Sequence, residues 1–484
     1  MIASTPAYRG GSSGKMTTLV MKFGGATVGT SAGLEQVLGV IADESVNWDR
    51  LLVVVSALDG VTDMLLDAAQ FARIDHPRGY RRIAANLRTR HLALIDQLPL
   101  DRPDRNTLQA DIDRLLSGLL DDCLAIANNL NEELSPIHSD TVVAVGERLS
   151  ARIIAALLRQ NGIRGVAVDG ADVLITDDVH GNANPDFGLT AQRIDAVLRP
   201  ILQRDMIPVV TGYIGATAAG VTTTLGRGGT DYTASVISAA LEADELWIWT
   251  DVDGMMTADP RQVSDARVVR HLGYSEAADF AYFGARILHA RMTAPLAAGS
   301  LPLRIKNIFY PRQPGTLVSP DDSDGEPVIK AVTSVQGLAM RRPVSGSLAG
   351  VTRLVGNTLF KTLGMRSEVL IASQSSNSSF ICLVIPTSIG VDGVDRLQRA
   401  LQEKMAEYPE KMPWEIETVS LVSAIGANLH RAPQLISRIL ERLEEVEIYG
   451  IALGASNCSV TVAMARRDAG AAVARIHELI VKSG

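Results

Sequence analysis

The 484-residue chain has little cysteine, little aromatic character and no excess of positive charge. Its three cysteines, Cys123, Cys382 and Cys458, lie far apart and form no CxxC pair. Neither a disulfide framework nor a zinc site is predicted, and a reducing cytoplasm is the expected compartment. Aromatic residues make up 4% of the chain against 46% hydrophobic, which suits an α/β enzyme rich in Ala, Val, Leu and Ile. A formal charge of −8 argues against a polyanion-binding surface, so no nucleic-acid partner is expected. No apolar run reaches the length of a membrane span, and no membrane partner is expected. Residues 1–15 (MIASTPAYRGGSSGK) lack the apolar core of a signal peptide, and their Gly and Ser predict a flexible extension, with Met16 a second candidate start. The histidines, His271 and His289 included, show no metal-ligand spacing and read as structural. Neither GxxxxGK[ST] nor a Rossmann fingerprint occurs.

The length predicts two or three domains. Strand-like runs at Leu19–Phe23, Leu51–Val55, Gly165–Val168, Ile207–Thr211 and Glu245–Thr250 alternate with helical patterns. That alternation predicts a mainly parallel central sheet covered by helices over residues 16–320. Thr62 is placed as the N-cap of a helix, residues of about 70–135 as an all-helical insertion, and Gly146–Leu158 as an amphipathic helix. Ligands of such sheets bind at the carboxyl ends of strands, so the loops after Phe23, Val55 and Thr250 are candidates. The stretch Asp321–Glu326 reads as a polar linker. Beyond it a repeat of period 80 sets Ile371-Ala-Ser-Gln-Ser-Ser-Asn-Ser-Ser379 against Ile451-Ala-Leu-Gly-Ala-Ser-Asn-Cys-Ser459. Two copies of a small α/β module are predicted, at about 335–400 and 415–484 within 330–484, and such pairs commonly pack sheet to sheet.

Chemistry concentrates in Thr222-Thr-Thr-Leu-Gly-Arg-Gly-Gly-Thr-Asp231 and in Ile248-Trp-Thr-Asp-Val-Asp-Gly254. Arg227 can grip a carboxylate bidentately and Asp231 can accept from an ammonium, a receptor for an amino acid; the plain alternative is an internal salt bridge bracing a glycine turn. Thr222–Thr224 reads equally as an exposed polar strand. In Lys22-Phe-Gly-Gly25 an ammonium stands beside backbone amides free to meet phosphate oxygens, although a strand-to-helix turn with a surface lysine accounts for it as well. Glu147 alone reads as a helix-dipole residue and becomes an acceptor for a substrate amine only in company with Arg227. Ser56 and Thr62 alone are ordinary turn or cap residues. Thr250, Asp251, Met256 and Arg261 belong to a loop suited to an adenosine with Arg261 facing phosphate, or to a plain surface turn.

In order along the chain, Lys22-Phe-Gly-Gly25, Val53-Val-Val-Ser56 with Thr62, Gly146-Glu-Arg148, Thr223–Asp231, Trp249–Gly254, Ala258-Asp-Pro-Arg261, Phe283-Gly-Ala-Arg-Ile-Leu-His289 and Pro314-Gly-Thr-Leu317 closely resemble the motifs of aspartokinases, in the amino acid kinase superfamily. The resemblance runs from about residue 16 to the end. It implies an amino acid kinase fold followed by two ferredoxin-like ACT domains, one commonly nested in the other. It also implies transfer of the ATP γ-phosphoryl group to the β-carboxylate of L-aspartate with Mg²⁺, the first step of aspartate-family amino-acid synthesis. Lys22, Arg227 and Asp231 would be catalytic, and Thr62, Glu147, Arg227 and Asp231 would hold aspartate. Lys22, Gly24, Gly25, Ser56, Thr250, Asp251, Met256, Arg261 and Arg286 would serve ATP. The ACT pair implies an amino-acid effector and a homodimer or higher homo-oligomer.

Several positions depart from the family pattern. Ala26-Thr27 replaces Thr-Ser, Arg286 stands for a Lys, and Ala290 follows the histidine in place of Pro. The repeat looks most like that of threonine-regulated aspartokinases, whose effector loops carry Gln and, four residues on, Glu. Here Ser373 and Leu453 take the Gln positions, and Asn377 and Asn457 the Glu positions, with Gln374 one residue off register. Leucine cannot make an amide's hydrogen bonds, so threonine inhibition is not expected. Two other readings stand beside this one: an amino acid kinase acting on another carboxylate, and a non-catalytic ACT sensor.

Overall fold

The computed structural model describes residues 16–128, 135–284, 288, 290–321, 325–342, 348–363, 369–385, 390–406, 414–454 and 456–481. The expected extension 1–15 and the candidate Arg286 lie outside the described residues. By their contacts the residues divide into two units, 1–247 and 248–484.

In the first unit β1 (Thr18–Phe23) and β2 (Arg50–Val55) are followed by β3 (Gly165–Val168), β4 (Ile175–Thr176), β5 (Ile207–Thr211), β6 (Ile214–Thr217) and β7 (Thr222–Thr224). Strands β3, β5, β2 and β1 lie side by side in that order, all parallel. Leu19, Val20, Met21 and Phe23 of β1 and Leu52–Val55 of β2 are fully buried. A strand covered on both faces needs an unbroken apolar run, which is why these segments show no alternation. The covering helices are α1 (Gly25–Val28), α2 (Ser31–Glu44), α3 (Val61–Arg73), α4 (Pro77–Gln97), α5 (Arg102–Asn128), α6 (Ser135–Val143), α7 (Val145–Gln160), α8 (Phe187–Gln203) and α9 (Gly229–Leu241). A three-stranded side sheet, β4-β6-β7, stands apart.

Two local expectations are corrected. Thr62 is the second residue of α3, and the cap is Gly60 at φ 70°, a left-handed turn that a threonine would resist. Thr222–Thr224 is a strand but not an exposed one: Thr223 and Thr224 are buried, their hydroxyls matched to Thr176 at 2.7 Å and Asp140 at 2.6 Å.

The second unit opens within β8 (Glu245–Thr250) and continues with β9 (His271–Gly273), α10 (Tyr274–Tyr282), α11 (Thr293–Ala298), β10 (Leu303–Asn307) and β11 (Thr316–Ser319). Asp321, first residue of the expected linker, is tethered: its carboxylate accepts from the Ser275 amide at 3.0 Å and hydroxyl at 2.5 Å. There follow β12 (Val328–Arg342), α12 (Leu348–Leu363), β13 (Val369–Gln374), β14 (Ser379–Val384) and α13 (Gly390–Ala406). The same order then recurs as β15 (Glu415–Ala427), α14 (Pro433–Glu441), β16 (Ile448–Ala452), β17 (Ser459–Ala465) and α15 (Ala469–Val481).

The repeat therefore holds in three dimensions, but its copies do not pack sheet to sheet. They share one antiparallel sheet in the order β13-β14-β12-β15-β17-β16. The long strands β12 and β15 pair from Val328↔Ala427 to Arg341↔Glu415, so the modules join edge to edge. Alternation separates the faces: Leu338 and Met340 pack with Val355, Leu359, Leu397 and Leu401 of the helices, while Ala339 turns to Cys382, Val419 and Leu421. All three cysteines are buried and free. Among the described residues no helix is long and apolar enough to cross a membrane.

Candidate active site

Phe23, Val55 and Thr211 stand in register at the carboxyl ends of β1, β2 and β5. The next residues, Gly24, Ser56 and Gly212, thus emerge side by side, which is where open α/β sheets bind ligands. Lys22, one residue before the end of β1, places Nζ 2.5 Å from Asp231 Oδ1, both side chains nearly buried. The ammonium lies close over the backbone of Gly24, a Cβ there falling 3.6 Å from Nζ. Ser56 Oγ donates to Thr230 Oγ1 at 3.0 Å, tying the end of β2 to the start of α9.

The internal salt bridge between Arg227 and Asp231, the plain alternative for this loop, is not formed among the described residues. Asp231, in the first turn of α9, faces Lys22; Arg227 is exposed and has no ion-pair partner among the described residues. The physical reason is the turn: Gly228 takes φ 69° and starts the helix, so Arg227 leaves the loop before the helix axis is set while Asp231 points from inside it.

Glu147 enters from the first turn of α7. Its neighbour Gly146 allows the approach, because a Cβ there would come within 2.8 Å of Ala57 Cβ. Oε1 accepts from the Ala57 amide at 3.2 Å, just past Ser56, whereas Oε2 is buried with no hydrogen-bond partner among the described residues. Burial pushes the carboxyl up to about 8, the Ala57 hydrogen bond opposing only in part. A buried carboxyl oxygen left without a donor among the described residues is an exception that calls for a reason.

Tyr213 was not foreseen. It follows Gly212 with φ 67°, unusual for a bulky residue, and is close enough for Glu147 to add to burial in raising its phenol to about 12. Its only sequence signal is its place two residues beyond a strand end. Thr62 is half-buried at the head of α3.

In the second unit, Thr250 Oγ1 donates to Asp251 Oδ1 at 3.2 Å. Arg261 is mostly exposed and engaged bidentately by Asp259, at 3.0 Å through Nε and 2.7 Å through Nη2. Met256 bridges to Val268. A second unforeseen residue is Asn307, buried at the end of β10: its amide donates to Asp253 Oδ1 at 2.7 Å and fixes the loop after β8. The Lys306-Asn307 pair closing the short strand was the available signal. No cluster of three or more His, Cys, Asp or Glu side chains suited to a metal occurs among the described residues. The candidate effector residues Ser373, Gln374, Asn377, Leu453 and Asn457 are all exposed, on or beside β13 and β16.

Residues 17–307 match the amino acid kinase family. The chain belongs to the amino acid kinase family. As a family member it is similar along most of its length to the lysine-sensitive aspartokinase 3 of Escherichia coli K12, at 29% identity over 471 residues, 95% of this chain and 98% of that relative. It is also similar to the chloroplastic bifunctional aspartokinase/homoserine dehydrogenase 2 of Arabidopsis thaliana, at 31% identity over 473 residues, covering 95% of this chain and 50% of that one. The chain thus spans about half the length of the bifunctional relatives it matches. Among solved structures, E. coli aspartokinase III in complex with aspartate and ADP aligns with a TM-score of 0.77 at 28% identity, over 96% of this chain and 100% of that one. The same enzyme with lysine and aspartate aligns with a TM-score of 0.78 at 28% identity, over 95% and 99%. The expected α/β kinase fold, with its mainly parallel sheet and antiparallel C-terminal region, is the fold observed.

Proposed function

We propose that this family member is an aspartate kinase, passing the γ-phosphoryl group of ATP to the β-carboxylate of L-aspartate to give 4-phospho-L-aspartate. The observation that carries the reading is a pair of groups at the flush strand ends: the Lys22 ammonium, and the buried Glu147 carboxyl, whose Oε2 has no hydrogen-bond partner among the described residues. An amphoteric acceptor calls for a cation and for an acid that ionises as the substrate ammonium arrives. The likeness to aspartokinase III, whose structure holds aspartate and ADP, supports the same assignment.

The acceptor carboxylate is already an anionic nucleophile, so no general base is required and the task is charge compensation and in-line placement. Lys22, with the Gly24 and Gly25 amides, would compensate charge on the transferring group. Asp231 holds the Lys22 ammonium in position. Glu147 and Thr62 would take the substrate amine side, and Arg227, exposed and with no ion-pair partner among the described residues, its α-carboxylate. Ser56, Thr250, Asp251, Met256, Arg261 and Arg286 are assigned to the nucleotide. For Arg261 an incoming phosphate must displace Asp259 from a bidentate pair. The described residues offer no dedicated metal cage, so Mg²⁺ would enter held by the nucleotide phosphates, screening their charge.

Residues 16–320 are proposed as the catalytic domain and 330–484 as the ACT pair, in a cytoplasmic homodimer or higher oligomer. The replaced Gln and Glu positions, with Leu453 exposed, argue against a threonine pocket. Lysine, bound in one aspartokinase III structure, is the first effector to test. A hydroxamate assay for acyl phosphate, with aspartate and competing acids and with Lys, Thr and Met added, tests substrate and effector together. Product from another acid and none from aspartate overturns the assignment.

A further inference from the structure

We propose that Asp140 is a positioning residue of the acceptor site, acting through Thr224 to hold the strand-to-loop junction that presents Tyr213 and Arg227. The inference rests on the aspartate kinase reading for its functional consequence. Asp140 lies in α6, outside every motif singled out above, and is 4% exposed. Its Oδ1 accepts the Thr224 hydroxyl at 2.6 Å. Its Oδ2 accepts from the Thr224 amide at 3.2 Å and the Gly181 amide at 3.1 Å, and meets His180 Nδ1 at 2.8 Å. One carboxylate therefore joins α6, the 180–181 turn and the last residue of β7.

Thr224 passes this restraint to both sides of the site. Its side chain lies close enough to the phenol of Tyr213, the strained residue, to oppose in part the rise that burial, Glu147 and Asp140 cause there. Its carbonyl accepts from the Ala183 amide at 2.9 Å, and the next residue, Leu225, donates its amide to the Tyr213 carbonyl at 2.9 Å. Gly226 then passes so close to the 181–182 turn that a Cβ would fall 2.8 Å from Asn182 Oδ1. Arg227 follows directly. A buried carboxylate is costly to desolvate, and here its hydrogen bonds converge on the segment that opens the acceptor loop. An apolar side chain would fill the volume but would not fix Thr224 in both hydroxyl and amide.

The test compares Thr224→Val, Thr224→Ser and Asp140→Asn in the full chain. Valine keeps the shape of threonine without the hydroxyl, serine keeps the hydroxyl, and asparagine sets an NH2 group against donors. Loss of the charge-assisted bond in Thr224→Val is expected to raise KM for aspartate by about tenfold or more, with KM for ATP within about twofold. Thr224→Ser is expected to restore most of it, and Asp140→Asn to follow the valine variant. Limited trypsinolysis supplies a readout independent of substrate: cleavage after Arg227 should be several-fold faster in Thr224→Val than in wild type or Thr224→Ser. Equal rises in both KM values, or a lowered melting temperature with unchanged aspartate KM and unchanged cleavage at Arg227, would overturn the inference. Wild-type protein without aspartate-dependent ADP release would refute the kinase assignment instead, and the proteolysis comparison would still decide whether Asp140 and Thr224 hold the loop.

Discussion

Lys22 Nζ and Asp231 Oδ1 meet at 2.5 Å, so the ammonium at the end of β1 is oriented by a carboxylate from the helix that follows the glycine loop. Strand β1 and helix α9 are far apart in sequence, and this contact makes one unit of them.

Lys22→Ala should cost turnover by about 100-fold or more, the scale of losing one preorganised charge-stabilising group. It should also destabilise the protein by roughly 1–3 kcal/mol, because Asp231 is left nearly buried without its partner. Chemical denaturation of Lys22→Ala beside a Lys22→Met/Asp231→Asn double variant checks this. The double variant should regain stability without regaining activity; a variant with near-normal turnover would remove Lys22 from its role.

Glu147 predicts a pH signature. Its carboxyl titrates at about 8 in the folded chain against an ordinary value of 4.5, so the folded state holds the proton more tightly. Its stabilising contribution is complete below about 4.5, declines as pH rises, and is gone above about 8, a change on the order of a few kcal/mol. Glu147→Gln should therefore gain thermal stability over wild type between pH 5 and 8 while losing aspartate affinity. Binding of the substrate ammonium should expel the proton below pH 8, visible as buffer-dependent heats in calorimetry. Identical heats in two buffers would remove the linkage.

Arg227→Ala should raise KM for aspartate by about tenfold or more and leave stability within about 0.5 kcal/mol, since the residue is exposed and has no ion-pair partner among the described residues. Steady-state kinetics with each substrate varied, together with a melting curve, separate the two effects. Unchanged aspartate kinetics would contradict the assignment to the α-carboxylate.

Asn307→Ala should act on the other substrate. Without its amide, Asp253 loses its 2.7 Å partner and the loop after β8 loosens. KM for ATP is expected to rise several-fold while KM for aspartate stays within about twofold. A rise confined to aspartate would count against a nucleotide role for this loop.

The strands were legible because burial writes itself into sequence as apolar runs, and Gly165–Val168, Ile207–Thr211 and Glu245–Thr250 fall where expected. The glycine loop was legible because few other demands call for Gly-Arg-Gly-Gly. Partner choice was not: Arg227 and Asp231 are four residues apart, yet Asp231 belongs to Lys22, because helix direction rather than spacing aims the side chain. Tyr213 and Asp140 carry no local signature, since a positive φ and a convergence of hydrogen bonds arise only once distant segments meet. The edge-to-edge union of the repeats was equally hidden, for either packing would leave the same alternation in β12 and β15.

That union has a consequence for how the C-terminal region unfolds. Strands of 15 and 13 residues share one hydrogen-bond ladder at its centre, so removing either module would expose a long, apolar, unpaired edge on the other. The shared ladder therefore predicts that the two copies unfold together, in one transition rather than two.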